Sequence, residues 1–535
     1  MRPIFYSTFA IAALSVGTAF GQLQTGAAVA VANTDAGQVR GYIHNKIYTY
    51  KGIPYAEAKR FEAPQKPKPW SNVRSSMTYG PVAPLLDPTT TVQDESEFVF
   101  NHSWGYTSED CLRLNVWSPG IKDGKKRPVL FWIHGGGFTA GSSQELPSYD
   151  GEALAKKGDV VVVSINHRLN ILGFLDLSAY GEKYKHSANN SIVDIVAALE
   201  WVKTNISEFG GDPNNVTIFG QSGGGAKVNT LMATPSAQGL FHKAINQSGA
   251  FRTTFLEKSD TQRITAEVMK ELKLRPDQAD SLQKIPFPLL SAAGKKALQI
   301  VAAQMKAEGR DVGGFGLSWG PSRDGSFLPY QMHDAKVAEM SKNIPLLIGT
   351  VKNEFMASLF GGMSNATQAQ VDEYIQKTYG ERAASYVAAV KKAYPKDTKP
   401  TDLIDVDTRF RPGAVAQANA KSKQGGAPVY MYLFTWQSPV MDGKYKAFHC
   451  MELPFMFNNI ARCEEMTGGT PEAYALADKM SQSWIQFAKT GNPGHKGLPN
   501  WEPYSESKGT TMFFDNTCTI GYNHDADLMK WMNTK

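Results

Sequence analysis

Apolar runs alternate with segments of helical periodicity along most of the chain. Several runs are continuous, as expected of strands covered on both faces of a sheet; the runs lie at residues 129–133, 160–165, 216–219, 244–246, 344–349 and 429–435. Residues 192–206 and 474–488 carry apolar side chains at helical spacing. This alternation predicts an α/β fold with a large, mostly parallel central sheet flanked by helices.

Two further segments limit the architecture. Residues 251–420 are richer in Lys, Ala and Gln and have helical periodicity, interrupted by the strand at 344–349. We interpret them as helical excursions packed over the sheet. Prolines recur between residues 64 and 88, so that stretch can form neither one long helix nor a central strand. We therefore predict a single α/β domain over residues 22–535.

The N-terminus has the pattern of a signal peptide. Arg2 precedes an apolar stretch at residues 4–16, and small residues follow up to Gly21. The apolar stretch is shorter than the ~20 residues needed to span a bilayer. We predict a signal peptide over residues 1–21, cleavage before Gln22, and a secreted or periplasmic protein without a membrane span.

Composition and charge exclude several classes of protein. Hydrophobic residues make up 42% of the 535, enough for an extended core, so disorder is not indicated. The net charge is +6, with 56 basic residues scattered among 50 acidic ones, and the run at residues 122–127 is interpreted as a solvated loop. Nucleic-acid binding would need a clustered basic stripe, so no nucleic-acid partner is expected.

The cysteines leave their pairing open and suggest no metal site. Four cysteines allow three full pairings, and an exported protein can form disulfides; they are Cys111, Cys450, Cys463 and Cys518. They lack the paired CxxC spacing of a zinc site, and the chain contains no HExxH helix. Cofactor motifs are absent as well, so we expect neither a metal nor a cofactor.

The hexapeptide GQSGGG at residues 220–225 carries the first candidate chemistry. The apolar strand at 216–219 leads into it, and residues 226–232 have the pattern of a helix. A serine on so tight a strand-to-helix turn needs glycines around it, and the helix N-terminus favours developing negative charge. The context predicts that Ser222 is a catalytic nucleophile.

A second glycine-rich segment, HGGGF at residues 134–138, follows the apolar strand at 129–133. Consecutive glycines let backbone N–H groups face a reacting carbonyl and stabilise an oxyanion. The alternatives are a flexible strand-end turn or a phosphate-binding loop, but no Walker lysine with serine or threonine follows.

Taken with further landmarks, the chain resembles the type-B carboxylesterase family, which includes the cholinesterases and para-nitrobenzyl esterases. The landmarks are YKGIPYA at 50–56, RF at 60–61, SEDCL at 108–112, NV at 115–116, NHR at 166–168 and FGGDP at 209–213. The resemblance covers nearly the whole mature sequence. It implies an α/β-hydrolase whose helical excursions cover the active site and which hydrolyses small-molecule carboxylic esters through an acyl-enzyme.

The resemblance also implies the remaining site residues. The oxyanion donors should be the backbone amides of Gly136, Gly137 and Gly223. Glu354 follows a strand, as the family's triad acid does, and the fold's chain order is serine, acid, histidine. Asp324 is the nearest rival.

The histidine loop FHCMELPF at residues 448–455 resembles that of the family, which makes His449 the predicted base. His134 is the next candidate, but it precedes the oxyanion glycines and is expected to support them. Because His449 must be neutral to accept a proton, we expect activity to fall on the acid side near the imidazole pKa of about 6.5, subject to local shifts.

The chain departs from the family pattern beside the serine. The family usually has glutamate before the serine and alanine after it, whereas this chain has Gln221 and Gly223. Loss of a carboxylate ~7 Å from the reacting centre removes ~2 kcal/mol of attraction for a cationic group at an effective dielectric of ~20. We therefore expect uncharged small or medium esters as substrates.

Other positions that match the family are expected to be structural. Arg60 with Glu109, and Arg168 with Asp194, should form ion pairs near the core. Aromatic residues that could line the substrate pocket are Trp104, Phe315, Trp319, Phe355 and Phe360.

Three other functions remain open at the level of sequence. A cholinesterase-like adhesion protein keeps the fold for binding, although such proteins typically lose a triad member and all three positions are filled here. A lipase or an amide hydrolase is possible because one fold hosts many substrates.

Overall fold

The computed structural model describes residues 23–85, 95–313 and 316–534. The predicted signal peptide at residues 1–21 therefore lies outside the described residues. The strands are β1 Leu23–Gln24, β2 Val31–Thr34, β3 Gly37–Arg40, β4 Tyr42–His44, β5 Ile47–Pro54, β6 Arg74–Ser75, β7 Arg113–Ser118, β8 Arg127–Ile133, β9 Val161–Ile165, β10 Gly211–Gln221, β11 Lys243–Gln247, β12 Leu256–Glu257, β13 Ser322–Arg323, β14 Leu346–Val351, β15 Val429–Phe434, β16 Thr511–Phe514 and β17 Thr519–Gly521.

Helices flank the strands, with short 3₁₀ turns between them. The α-helices are α1 Ser96–Phe100, α2 Glu152–Gly158, α3 Asn170–Phe174, α4 Asn190–Asn205, α5 Gly223–Met232, α6 Lys258–Glu271, α7 Phe287–Ala307, α8 Ala335–Ser341, α9 Ala357–Phe360, α10 Gln368–Tyr379, α11 Ala383–Ala393, α12 Arg411–Lys423, α13 Leu453–Met456, α14 Glu464–Thr467, α15 Pro471–Thr490 and α16 Ala526–Asn533.

One large sheet forms the centre of the described part of the chain. Its strand order is β1-β4-β5-β7-β9-β8-β10-β11-β14-β15-β16-β17. The neighbours from β9 to β16 pair in parallel. The strands outside them pair antiparallel. The predicted large, mostly parallel sheet is thus confirmed, and two small sheets, β2-β3-β6 and β12-β13, lie apart from it.

The continuous apolar runs form the central strands because both faces of the sheet are covered. Every residue of β9, β14 and β15 is buried. In β8 and β10, Val129 pairs with Val216 and Trp132 with Phe219, so the two strands run in register toward the same edge. The helical periodicities at residues 192–206 and 474–488 correspond to α4 and α15.

Two boundaries differ from the sequence pattern. The helix after Ser222 begins at Gly223, although apolar helical spacing starts only at Ala226. Glycines are poor helix formers, so local propensity gave no sign of this first turn, which tertiary packing imposes. The strand before Ser222 begins at Gly211, with a register shift before Val216.

The segment at residues 251–420 forms helical excursions, as predicted, with α6 packed on α7 and the strand β14 inserted between α8 and α9. Between residues 64 and 85 the only strand is the two-residue β6, as the prolines led us to expect. None of the helices in the described ranges combines the length and apolar character needed to cross a bilayer.

Both predicted ion pairs are present. Arg60 Nε donates to Glu109 at 2.8 Å. Arg168 binds Asp194 with two nitrogens, at 2.6 and 2.8 Å, and these side chains are only 4% and 0% exposed. Arg168 also donates to the carbonyl of Glu62 at 2.7 Å, so this pair fastens the N-terminal loops to helix α4.

Candidate functional site

Ser222 joins the end of β10 to the start of α5 in a backbone conformation that side chains rarely adopt. Its φ is 56° and its ψ is −124°. The turn has no space around it: a Cβ on Gly224 would lie 2.0 Å from the carbonyl oxygen of Ile133, and one on Gly220 would lie 2.7 Å from the same atom. Only glycine fits such approaches, so the GQSGGG sequence is a direct consequence of packing the helix against β8.

The predicted oxyanion loop packs against this turn. Gly136 and Gly137 have φ values of 78° and 61°, in the left-handed region. A Cβ on Gly223 would lie 2.1 Å from the carbonyl oxygen of Gly137, so the loop lies directly on the first turn of α5. Within the described ranges, the amides of these three glycines donate no hydrogen bond to the protein and remain available to a ligand.

Lys227, one turn into α5, holds the same loop from inside the core. Its side chain is 0% exposed, and Nζ donates to the carbonyl oxygens of Gly137 at 2.9 Å and His134 at 3.2 Å. Burial lowers the pKa of Lys227 to about 7, and the charge of Glu145 acts in the opposite direction. The sequence interpretation missed Lys227, although a lone cation among small and apolar helix residues was a usable signal.

His449 and Glu354 form a direct pair. Nδ1 of His449 lies 2.5 Å from Oε2 of Glu354, and the carboxyl group is completely buried. The other oxygen, Oε1, accepts hydrogen bonds from Ser248 Oγ at 2.5 Å and from the amide of Val351 at 3.1 Å. A bridge between Asn353 and the residue before His449 brings the two loops together. Ser248, which the sequence interpretation missed, thereby orients the acid.

Burial sets the protonation of this pair. It lowers the pKa of His449 from 6.5 to about 4, against the charges of Glu452 and Asp407, which raise it. It raises the pKa of Glu354, and the hydrogen bonds from Ser248 and Val351 oppose that shift. The imidazole is therefore neutral at neutral pH.

Gln221 lies between the serine turn and the histidine. Its Nε2 is 3.4 Å from Nε2 and 3.5 Å from Nδ1 of His449, and its Oε1 accepts from the Cys450 thiol at 3.3 Å. Within the described residues no hydrogen bond joins the hydroxyl of Ser222 to His449. The structure thus brings the imidazole beside the turn that carries Ser222 but does not pair the two side chains directly.

The rival residues have other partners. Asp324 accepts hydrogen bonds from the backbone of Ser326 and Leu328 and from Asn189, so it closes a turn and does not contact His449. His134 is buried, and its Nδ1 lies 3.0 Å from the carbonyl oxygen of Gly135. It therefore belongs to the support of the glycine loop.

A cavity of about 630 Å³ opens at the carboxyl edge of the sheet. Its wall includes Gly136, Gly137, Phe138, Ser222, Phe355 and Phe410. The ring centroids of Phe355 and Phe410 lie 4.6 and 5.3 Å from that of His449. Ser222 and two of the predicted oxyanion glycines therefore border one space, and His449 packs against two phenylalanine rings of its wall.

The aromatic residues predicted to line the pocket lie in different surroundings. Phe355 lines the cavity. Trp319 packs in the core, Trp104 stacks on an imidazole, and Phe360 is 70% exposed. Phe315 lies outside the described residues.

All four cysteines lie in the described part of the chain and carry no disulfide. Three of them, Cys111, Cys463 and Cys518, are buried. Among the described residues, no group of three or more His, Cys, Asp or Glu side chains is arranged to hold a metal ion.

Comparison with known proteins identifies the family of the chain. The sequence model described as "Carboxylesterase family" matches residues 28–528. Para-nitrobenzyl esterase of Bacillus subtilis is 37% identical over 509 residues, 93% of this chain and 97% of that protein. Fumonisin B1 esterase of Sphingopyxis macrogoltabida is 30% identical over 532 residues, 96% of this chain and 91% of that protein.

A solved structure agrees in both fold and sequence. An esterase from Clostridium hathewayi that can hydrolyze aliphatic aromatic polyesters has a TM-score of 0.81 and 38% identity, covering 94% of this chain and 97% of its own. The large mostly parallel sheet flanked by helices is the α/β-hydrolase fold of these esterases. The chain therefore belongs to the carboxylesterase family and is a carboxylic-ester hydrolase.

Proposed function

We propose that the chain is a secreted serine hydrolase that cleaves carboxylic esters through an acyl-enzyme intermediate. One observation carries this proposal. The strained turn of Ser222 faces a cavity shared with Gly136 and Gly137, beside an imidazole whose Nδ1 lies 2.5 Å from the buried carboxyl of Glu354.

In the first half of the reaction, Ser222 Oγ attacks the ester carbonyl carbon while Nε2 of His449 accepts the hydroxyl proton. Glu354 stabilises the imidazolium that forms. The carbonyl oxygen becomes an oxyanion and accepts hydrogen bonds from the free amides of Gly136, Gly137 and Gly223. His449 then protonates the leaving alkoxide, the carbon–oxygen bond breaks, and the acyl group remains on Ser222.

In the second half, water replaces the alcohol. His449 accepts a proton from water as the hydroxide oxygen attacks the acyl carbon, and it returns that proton to Ser222 Oγ as the acid leaves. The serine and the imidazole must come within hydrogen-bond reach for both steps. In free enzymes such contacts are often long and tighten when substrate binds.

The neutral amide of Gln221 beside His449 supports uncharged small or medium esters as the substrates. A carboxylate at that position would attract a cationic alcohol such as choline, and an amide does not. The cavity volume of about 630 Å³ lies within the usual range for small-molecule sites.

Export is part of the proposal because of the signal-peptide pattern at residues 1–21. Expression of the full chain in a secreting host tests it. N-terminal sequencing of exported protein is expected to begin at Gln22, and retention of an uncleaved chain inside the cell would contradict export.

Hydrolysis of para-nitrophenyl esters of increasing acyl length tests the serine mechanism. The wild type should hydrolyse short and medium esters, and Ser222→Ala should lose at least about 10³-fold in kcat. Ser507→Ala, at an exposed position, is the matched control and should keep full activity. Labelling by a fluorophosphonate should add to Ser222 alone. An active Ser222→Ala enzyme would overturn the mechanism, and a preference for long emulsified esters would indicate a lipase.

A further inference from the structure

Arg252 occupies the wall of the cavity that contains Ser222. It follows β11 and lies beside the oxyanion loop, because its guanidinium carbon is 5.3 Å from the ring centroid of Phe138. Its Nη2 donates to Ser318 Oγ at 3.0 Å, and a Cβ on Gly320 would lie 2.7 Å from Nη1. The guanidinium is therefore fixed in place by its surroundings.

The charge of Arg252 has no acidic partner. No carboxylate oxygen of the described residues lies within 4.0 Å of it, whereas the buried guanidinium groups of Arg127, Arg168 and Arg411 are all paired. Of the five N–H donors of Arg252, one has a partner among the described residues, the hydroxyl of Ser318. Burial lowers the pKa of Arg252 to about 10, so the group remains charged at neutral pH.

The other charged groups near Arg252 do not neutralise it. Asp311 also lines the cavity, but it is exposed, and its carboxylate accepts from the amide of Gly313 at 2.8 Å. Arg252 also borders a second cavity of about 300 Å³ that contains Asp334, whose carboxylate accepts from the amide of Gln331 at 2.9 Å. Neither carboxylate reaches the guanidinium.

Arg252 is half-buried in the cavity wall, and an unpaired cation there attracts an anion more strongly than in bulk water because the effective dielectric is lower. Free guanidinium donors in a fixed plane match the two oxygens of a carboxylate and give a strong bidentate contact. We propose that Arg252 binds a carboxylate carried by the substrate, so that half-esters of dicarboxylic acids, or esters of acid-bearing alcohols, are preferred over uncharged esters of the same length. This inference rests on the proposed ester hydrolysis by Ser222 and replaces the expectation of uncharged substrates: the reacting ester bond is the same, and Arg252 adds a distal contact to a carboxylate.

Matched substrates on the full-length enzyme test this subsite. Mono-para-nitrophenyl glutarate and para-nitrophenyl pentanoate differ by a carboxylate in place of a terminal methyl group. Para-acetoxybenzoate and para-tolyl acetate make the same comparison on the alcohol side. In the wild type, at least one acid-bearing ester should have the higher kcat/KM of its pair. In Arg252→Gln that ratio should fall about tenfold or more.

Three further variants distinguish a failure of the proposed function from a failure of the carboxylate subsite. Arg275→Gln removes an exposed guanidinium and should leave both ratios unchanged. Arg252→Lys keeps the charge without the planar fork and should lose part of the preference. If Ser222→Ala still hydrolyses the pentanoate ester, the proposed function fails. If that variant is inactive and Arg252→Gln leaves both ratios unchanged, only the carboxylate subsite fails.

A measurement on the wild type covers the case in which Arg252→Gln does not fold. Glutarate should inhibit hydrolysis of para-nitrophenyl pentanoate competitively, and the neutral glutaramide should be at least about tenfold weaker. Equal inhibition by the two compounds, or none, together with no preference for either acid-bearing ester, would overturn the subsite.

Discussion

Nζ of Lys227 donates to the carbonyl oxygen of Gly137 at 2.9 Å from within the core, so helix α5 and the oxyanion loop are joined by a buried hydrogen bond. The carbonyl oxygen of His134 is bound by the same atom at 3.2 Å. One side chain thus fixes both ends of the glycine segment whose amides face the cavity.

Lys227→Met should loosen this loop. Two carbonyl groups lose their donor, and the amides of Gly136 and Gly137 lose their alignment with the oxyanion. We expect kcat for para-nitrophenyl esters to fall by about 10- to 100-fold with a smaller change in KM. Lys203→Met, at an exposed position of α4, is the control and should change neither constant. Unchanged kcat in Lys227→Met would show that the loop holds its geometry without the lysine.

Gly223→Ala should also damage the oxyanion hole. The new Cβ would lie 2.1 Å from the carbonyl oxygen of Gly137, so the oxyanion loop must move to make room for it. This holds even though alanine is the usual residue after the serine in the type-B carboxylesterase family. We expect a loss of about 1–3 kcal/mol in the free energy of unfolding and at least tenfold in kcat. Both are measurable by urea denaturation and by ester hydrolysis.

Gly124→Ala is the matched control for that variant. Gly124 has a φ of 74°, but nothing lies within 4 Å of the added Cβ. It should lose only about 1 kcal/mol of stability, from backbone strain, and no activity. A Gly223→Ala enzyme with full kcat would contradict the close approach of the two backbones.

The pH profile should report His449. The imidazole is active only when neutral, so activity is lost as pH falls through its pKa, and burial moves that pKa from 6.5 toward about 4. The acid limb of kcat/KM for an uncharged ester should therefore have its midpoint below 6.5. Measurement between pH 4 and pH 8 with a stable ester decides this, and a midpoint at or above 6.5 would contradict the burial effect.

The buried pair of Arg168 and Asp194 should contribute more to stability than an exposed pair with the same chemistry. Removing one partner leaves an uncompensated buried charge, so Asp194→Ala should cost about 3–5 kcal/mol in urea denaturation. Asp277→Ala breaks the exposed pair of Arg275 and Asp277 and should cost at most about 1 kcal/mol. Similar losses in the two variants would show that burial of Arg168 and Asp194 is unimportant.

Much of the fold was predictable from the sequence because local patterns determine it. Continuous apolar runs specify the buried parallel strands, and the GQSGGG and HGGGF segments mark the two turns where backbones must approach closely. The choice of Glu354 over Asp324 depended on family resemblance. The structure gives the geometric reason: Glu354 lies 2.5 Å from His449, and Asp324 closes a turn and does not contact His449.

The sequence by itself indicated the strands and helices of a mostly parallel α/β sheet and its two glycine-rich turns, since apolar runs and glycine turns are local properties. The resemblance to the family supplied Glu354 and His449. Tertiary structure decided what surrounds them. Burial of Lys227 beneath the glycine loop, the approach of Gly223 to Gly137 and the unpaired guanidinium of Arg252 all arise between segments far apart in the chain. The partners of a charged group and the space around a backbone atom depend on how distant segments pack, which no local pattern of residues specifies.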